Sequence, residues 1–226
     1  MADGSDFELR GMSSSQIWEH ENAFYWFSEP GRIAKLLAQY EIYKKIVDLP
    51  GDVFEFGVYK AASIIRLASF RALLENEVSR AIYGFDAFGK FPEDGLSLKG
   101  DNEFVSRFEG NGGYGLTLEE TEDVLRRKGY GNINFVKGDV FATVPKFLEE
   151  HPSVRISMLH LDMDVKEPTE FVLSALFDRV VPGGVIMIDD YTAVEGATSV
   201  VDDFVERTGL PLRKLPYYSV PAYILK

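Results

Sequence analysis

Along most of the chain, short apolar runs alternate with amphipathic segments, the pattern of a parallel sheet covered by helices on both faces. The apolar runs predict strands at about 52–57, 81–86, 132–136, 154–161 and 184–188. From Arg32 to Asp48, Ile33, Leu36, Leu37, Tyr40, Ile42, Tyr43, Ile46 and Val47 recur at helical spacing until Leu49-Pro50-Gly51 stops them. One amphipathic helix therefore precedes the first strand. Thr117-Leu118-Glu119-Glu120 has the form of a capping box, and Pro145 and Pro168 suit the first turns of two later helices. A further helix is expected to begin near 194. Runs at roughly 212–216 and 221–225 flank Tyr217-Tyr218-Ser219, a connection too short for a crossover helix, so they predict an antiparallel hairpin. The expected fold is α/β, a doubly wound, mostly parallel sheet closed by that hairpin.

Two stretches break the pattern. Residues 1–30 are polar and aromatic by turns without a period and end at Ser28-Glu29-Pro30-Gly31, which predicts an arm or lid ahead of one domain over 31–226. Ser13-Ser14-Ser15 within it reads as an unordered turn, since no G-x-S-x-G nucleophile elbow exists. From Ala87 to Leu116 there are seven glycines, at 89, 95, 100, 110, 112, 113 and 115, which predicts a long mobile loop with a short helix near 101–108. Such loops at a sheet's carboxyl edge often cover an active site.

Charge and composition narrow the chemistry. The chain has 226 residues, 36 acids against 24 bases and a formal charge of −12, with no basic stripe, so nucleic acid is a poor partner. A small neutral or cationic molecule suits it better. The absence of cysteine excludes disulfides, thiolate metal sites, Fe–S clusters and thiol nucleophiles. No apolar run approaches the ~20 residues of a membrane span, and the acidic start is unlike a signal peptide, so a cytoplasmic protein is expected.

In doubly wound sheets ligands collect at the carboxyl ends of the strands, and four of the five strand ends assigned here carry acids. The first strand leads through Glu55-Phe56-Gly57-Val58-Tyr59 into a small-residue helix start at Ala61-Ala62-Ser63. That turn lets backbone N–H groups approach a ligand carboxylate or phosphate, but it lacks the three glycines of a nicotinamide fingerprint. Asp86 ends the second strand, where it can accept ribose hydroxyls. Lys137-Gly138-Asp139 follows the third, and Asp139 can either meet an adenine amino group or cap the next helix.

The fourth strand reads His160-Leu161-Asp162-Met163-Asp164 at its end and the fifth Ile188-Asp189-Asp190-Tyr191. Asp162 and Asp189 are 27 positions apart, room for one crossover helix between neighbouring parallel strands. Such strands lie ~4.8 Å apart, so carboxylates at both ends can share one hard cation. Without a cation three crowded carboxylates repel, and one takes up a proton. Asp162, Asp189 and Asp190 are therefore candidate ligands for Mg²⁺, with Ca²⁺ or Mn²⁺ as alternatives. The competing possibility is that Asp189 and Asp190 cap the following helix while Asp162 is solvated.

Glu55-x-Gly57, the acids ending the second strand and following the third, Leu161-Asp162-x-Asp164 and Gly183-Gly184-x-x-x-x-Asp189-Asp190-Tyr191 together resemble the macrocin O-methyltransferase family of class I S-adenosylmethionine-dependent methyltransferases. The likeness runs from about Pro30 to Lys226 and includes Phe85-Asp86-Ala87-Phe88-Gly89-Lys90-Phe91-Pro92 and Val201-Asp202-Asp203-Phe204. It implies a seven-stranded Rossmann-like fold that binds S-adenosylmethionine and methylates a metal-held hydroxyl of a sugar, polyol or aromatic diol. By resemblance, Glu55 to Ser63 would hold the methionine part, Asp86, Ala87 and Phe88 the ribose side, and Gly138 and Asp139 the adenine edge, with Asp162 also bordering the cofactor; Asp162, Asp189 and Asp190 would hold magnesium. Two departures stand out. Ala61 and Ala62 replace the family's usual glycines, and Val165 stands where catechol-type relatives have a lysine, with Lys166 one position late. Asp162, Asp164, His160 and Lys166 are the candidate catalytic groups. His20, in the arm, is a more remote candidate. A homodimer paired through the aromatic arm also fits. The acids alone would equally suit a metal-dependent hydrolase or glycosyl-transfer enzyme, or a non-catalytic ligand-binding relative.

Overall fold

A computed structural model describes residues 6–90 and 98–226. The main sheet has seven strands: β1 (Asp52–Phe56), β2 (Ile82–Asp86), β3 (Ile133–Lys137), β4 (Ile156–Leu161), β5 (Val180–Ile188), β6 (Leu212–Leu215) and β7 (Tyr218–Leu225). They lie in the order β3-β2-β1-β4-β5-β7-β6. Pairings from β3 through β5 are parallel, and β7 runs antiparallel to both β5 and β6, as the closing hairpin requires. The order reverses between β1 and β4, which opens a crevice beyond their carboxyl ends.

Among the described residues, eight α-helices accompany the sheet: α1 (Ile17–Phe27), α2 (Pro30–Tyr43), α3 (Ala62–Leu74), α4 (Lys99–Gly112), α5 (Leu118–Arg127), α6 (Val140–Glu150), α7 (Lys166–Leu176) and α8 (Glu195–Thr208). Strand alternation divides the core in two. Phe54, Phe56, Phe85, Leu159 and Leu161 face α6, α7 and α8, while Val53, Ile82, Met158, Val185 and Met187 face α2, α3 and α5. The capping box forms as expected, with Thr117 Oγ1 accepting from the Glu120 N–H and Glu120 Oε2 from the Thr117 N–H.

Several expectations need correction. Pro145 lies inside α6 rather than in its first turn, because Asp139 caps the helix six residues earlier. The glycine-rich stretch holds a 14-residue helix, α4, in place of a short one near 101–108. Residues 91–97, including Phe91-Pro92 of the family-like segment, lie outside the described residues. The arm is ordered too: Glu8–Leu9 pairs with Met12–Ser13, Ser13 caps a 3₁₀ turn over Ser14–Gln16, and α1 follows. Helix α1 has no buried residue, and Trp18 and Trp26 are each 71% exposed, so its apolar residues form no one-sided stripe from which a helix could be read. Among the described residues, no helix is long and apolar enough to cross a membrane.

Candidate active site at the carboxyl edge of the sheet

The ladder continues one residue past the strands and sets the site's floor. The Gly57 N–H donates to Phe85 O, the Asp162 N–H to Phe56 O and the Asp189 N–H to Leu161 O, at 2.9–3.0 Å. Gly57 has φ +92°, and a methyl there would collide with the Asp162 carbonyl, so only glycine lets the turns after β1 and β4 pass this closely. A cleft of about 380 Å³ opens above them. Gly57, Val58, Tyr59 and Ser63 line it, with Asp86, Ala87, Gly138 and Asp139 on one side and Asp162, Asp164, Asp189 and Asp190 on the other.

Five sequence candidates do not line this cleft: Glu55, Phe56, Phe88, His160 and Lys166. Phe56 is fully buried and stacks on Phe85 at 4.4 Å between ring centroids. Phe88 packs into the α3-side core. Lys166 opens α7, and its backbone N–H, rather than a side-chain contact to the site, is engaged, by Asp101. His160 and Glu55 are register neighbours on β4 and β1, point to the α3 face and are fully buried, with Nδ1 and Oε1 3.8 Å apart. Of the arm's candidates, His20 bonds to Ser13 O, inside the arm.

On the first half of the edge the acids are occupied by backbone. Asp86 Oδ2 accepts from the Val58 and Tyr59 N–H groups at 2.7 and 3.0 Å, and Oδ1 from the Phe88 N–H at 2.6 Å. With about two lone pairs per oxygen, Oδ1 keeps room for one more donor. Asp139 Oδ1 accepts from the Phe141 N–H at 3.0 Å, so this aspartate is a helix cap that also faces the cleft.

The second half is crowded with acids. One ligand atom each from His160, Asp162 and Asp189 lies within 4.8 Å of the others, and so does a second group, Asp162, Asp164 and Asp190. Asp189 and Asp190 thus fall into different groups that share Asp162, rather than into the single trio expected. Burial, reinforced by neighbouring acids, holds the carboxyls of Asp162, Asp164 and Asp190 above the usual range. Glu55 is pushed up in the same way, by burial first and then by Asp162. Burial lowers the His160 imidazole to about 4, which makes it neutral at pH 7. Glu55 Oε1 and Oε2, Asp189 Oδ1 and His160 Nε2 are buried without a hydrogen-bond partner, and a buried polar atom in that state calls for a proton, a water or an ion.

Sequence reasoning missed Lys35. It reaches from α2 into the acid group, where its Nζ pairs with Asp189 Oδ2, and it lines the cleft. The signal was available: Arg32, Lys35 and Gln39 stand at helical spacing on one side of α2, and Gln39 is fully buried. A polar stripe running onto a buried face calls for a partner.

Backbone strain gathers around the same turns. Tyr59, Ala61, Asp164 and Thr192 all have positive φ, between +50° and +68°. Ala61 sits in the left-handed region at φ +61°, so one of the two alanines that replace the family's glycines does occupy a position glycine favours.

Known proteins resemble this chain in sequence and in fold. The tetracenomycin-C 4'-O-methyltransferase of Streptomyces olivaceus, which acts on the 8-demethyl-8-(2,3-dimethoxy-alpha-L-rhamnosyl) form, is 30% identical over 166 residues. Demethyldecarbamoylnovobiocin O-methyltransferase of Streptomyces niveus is 26% identical over 164. These matches cover 72% and 70% of this chain, and they span 60% and 59% of the relatives' own lengths. The crystal structure of CalS11, a calicheamicin methyltransferase, superposes with a TM-score of 0.74 at 28% identity, over 92% of this chain and 85% of that one. The family described as macrocin-O-methyltransferase (TylF) matches residues 32–219, and the chain belongs to it.

Proposed function

We propose that the protein is an S-adenosylmethionine-dependent O-methyltransferase that acts on a hydroxyl of a small natural-product sugar, polyol or aromatic diol held at a divalent cation. The observation that carries this reading is one cleft with two unlike halves: a glycine turn flanked by carboxylates already bonded to backbone, and a buried acid group with an unmet oxygen on Asp189. Family membership supports the reaction class, and the names of the two Streptomyces relatives support the acceptor class.

The residues present fit both groups. S-adenosylmethionine supplies an electrophilic methyl, and a divalent cation, Mg²⁺ first with Ca²⁺ or Mn²⁺ as alternatives, would orient a hydroxyl and lower its pKa. Gly57, Val58, Tyr59 and Ser63 would carry the amino-acid part of the cofactor. Asp86, through the capacity left on Oδ1, would take a ribose hydroxyl, with Ala87, Gly138 and Asp139 toward the adenine. Asp162, shared by both acid groups, would hold the cation with Asp189 from one group and Asp190 from the other. His160 is neutral and fully buried outside the cleft lining, with Nε2 4.0 Å from Asp189 Oδ1, so it does not meet the acceptor. Asp164 lines the cleft, and its raised basicity suits it to accept the hydroxyl proton. The described part of the arm ahead of Pro30 is tied to the body by Arg10, which bonds to Glu120, Tyr114 and Gly115, and the arm's exposed aromatics suit it to close over a bulky acceptor or pair two copies.

Calorimetry tests the reading directly. S-adenosylhomocysteine should bind and a sugar nucleotide lacking a methyl-accepting site should not. With sugar and diol acceptors, turnover should require added Mg²⁺. Asp162→Ala and Asp189→Ala proteins that turn over fully without a cation would defeat the metal assignment.

A further inference from the structure

Helices α7 and α8 begin directly after the two acid-bearing turns, and neither is capped by its own sequence. Their N-cap positions hold Val165 and Val194, which make no side-chain cap bond. Valine is among the poorest N-cap residues, and each bare helix start leaves N–H donors unmet. Both starts are served by one side chain from far along the chain. Asp101, in the first turn of α4, is fully buried. Its Oδ2 accepts from the Lys166 N–H at 2.8 Å, and its Oδ1 from the Gly196 N–H at 3.3 Å. The carboxylate faces the positive ends of two helix dipoles at once. Gly196 is matched to this, since a methyl there would strike the Asp101 carboxylate.

The far end of α4 is tied to the other half of the site. Tyr59, on the turn after β1, donates its hydroxyl to the carbonyls of Gly112 and Gly113 at 2.8 and 3.1 Å. One helix thus spans the site, held at its start behind the acid group and at its end by the glycine turn.

We propose that Asp101 is a positioning residue for the reaction: by capping α7 and α8 together it fixes the turns that carry Asp162, Asp164, Asp189 and Asp190, and couples their geometry to the docking of α4. The cation part of this inference rests on the proposed function. The coupling itself does not.

The test compares wild type with Asp101→Ala, Asp101→Asn and Gly196→Ala, the last displacing the carboxylate while leaving Asp101 in the sequence. Amide hydrogen exchange should speed at least about tenfold over 162–166 and 190–196 in Asp101→Ala, with β1 and β2 unchanged, and the Kd for Mg²⁺, read by calorimetry without acceptor, should rise by about tenfold, the range seen when outer partners of metal ligands are lost. Asp101→Asn keeps one acceptor oxygen and should fall between. Should Asp101→Ala fail to fold, Gly196→Ala carries the same expectations. A lower Tm with wild-type exchange in both turns and an unchanged Mg²⁺ Kd would overturn the proposal, since Asp101 would then add only general stability. If wild type itself bound no Mg²⁺, the metal reading would fall, and the exchange measurement would still decide the role of Asp101.

Discussion

The two halves of the cleft use the same residue type in opposite ways. After β2 and β3, Asp86 and Asp139 spend their oxygens on backbone N–H groups of Val58, Tyr59, Phe88 and Phe141. After β4 and β5, Asp162, Asp164 and Asp190 crowd together above their ordinary pKa, and Asp189 keeps a buried oxygen with no partner. Asp190 Oδ2 still accepts from the Asp164 N–H at 2.9 Å and Asp189 Oδ2 from Lys35, so the second half differs in its crowding of acids and in the one unmet oxygen of Asp189. The halves should therefore respond differently to the same kind of substitution.

The largest effect is expected at Asp162, which both acid groups share. Asp162→Ala should lower kcat/KM by at least about a hundredfold, beyond what loss of an outer partner costs, while S-adenosylhomocysteine affinity stays within about threefold. An equal loss of cofactor binding would erase the distinction between the halves. Asp86→Ala should do the reverse. It leaves three turn amides without their acceptor, at about 1–3 kcal/mol for each that stays buried and unmet, so cofactor affinity and Tm should fall together while the Mg²⁺ Kd holds.

The third expectation concerns pH. Because burial raises the folded-state pKa of Asp162, Asp164 and Asp190, the folded chain binds their protons more tightly than the unfolded chain does. In chelator, stability should be greatest below the ordinary carboxylate pKa of about 4 as far as these groups contribute, and fall as pH rises toward the folded values, by at most about 1.4 kcal/mol per pH unit for each group. Mg²⁺ should flatten that slope. Urea melts between pH 5 and 8 with and without the cation measure it, and a slope indifferent to Mg²⁺ would show that the acid group does not take the ion. The smallest effect is Ala61→Gly. Relief of left-handed strain, about 1 kcal/mol, nearly balances the loss of one buried methyl, about 0.8 kcal/mol, so Tm should barely move.

Much of this was legible beforehand because it follows period and spacing. The strands, the closing hairpin and the placing of acids at successive strand ends come from apolar runs whose positions leave little choice. The failures share a cause, which is contact between distant segments. Phe56 and Phe88 adjoin the right residues in sequence yet pack into the core, Phe56 on the face of β1 opposite Glu55 and Phe88 from the loop after β2, at φ +54°. Asp101 reaches the acid-bearing turns from α4 across 65 residues, which no local pattern reports, and Lys35 reaches them from α2 across 154, foreshadowed only by the polar stripe on its helix. Helix α1 buries nothing, and so has no one-sided stripe to betray it.

Lys35 gives the resting protein a consequence of its own. With its ammonium seated against Asp189, the acid group already carries a counterion supplied by the chain. A divalent ion bound as proposed would have to displace this ammonium, so its binding would be an exchange of one cation for another rather than the filling of a void.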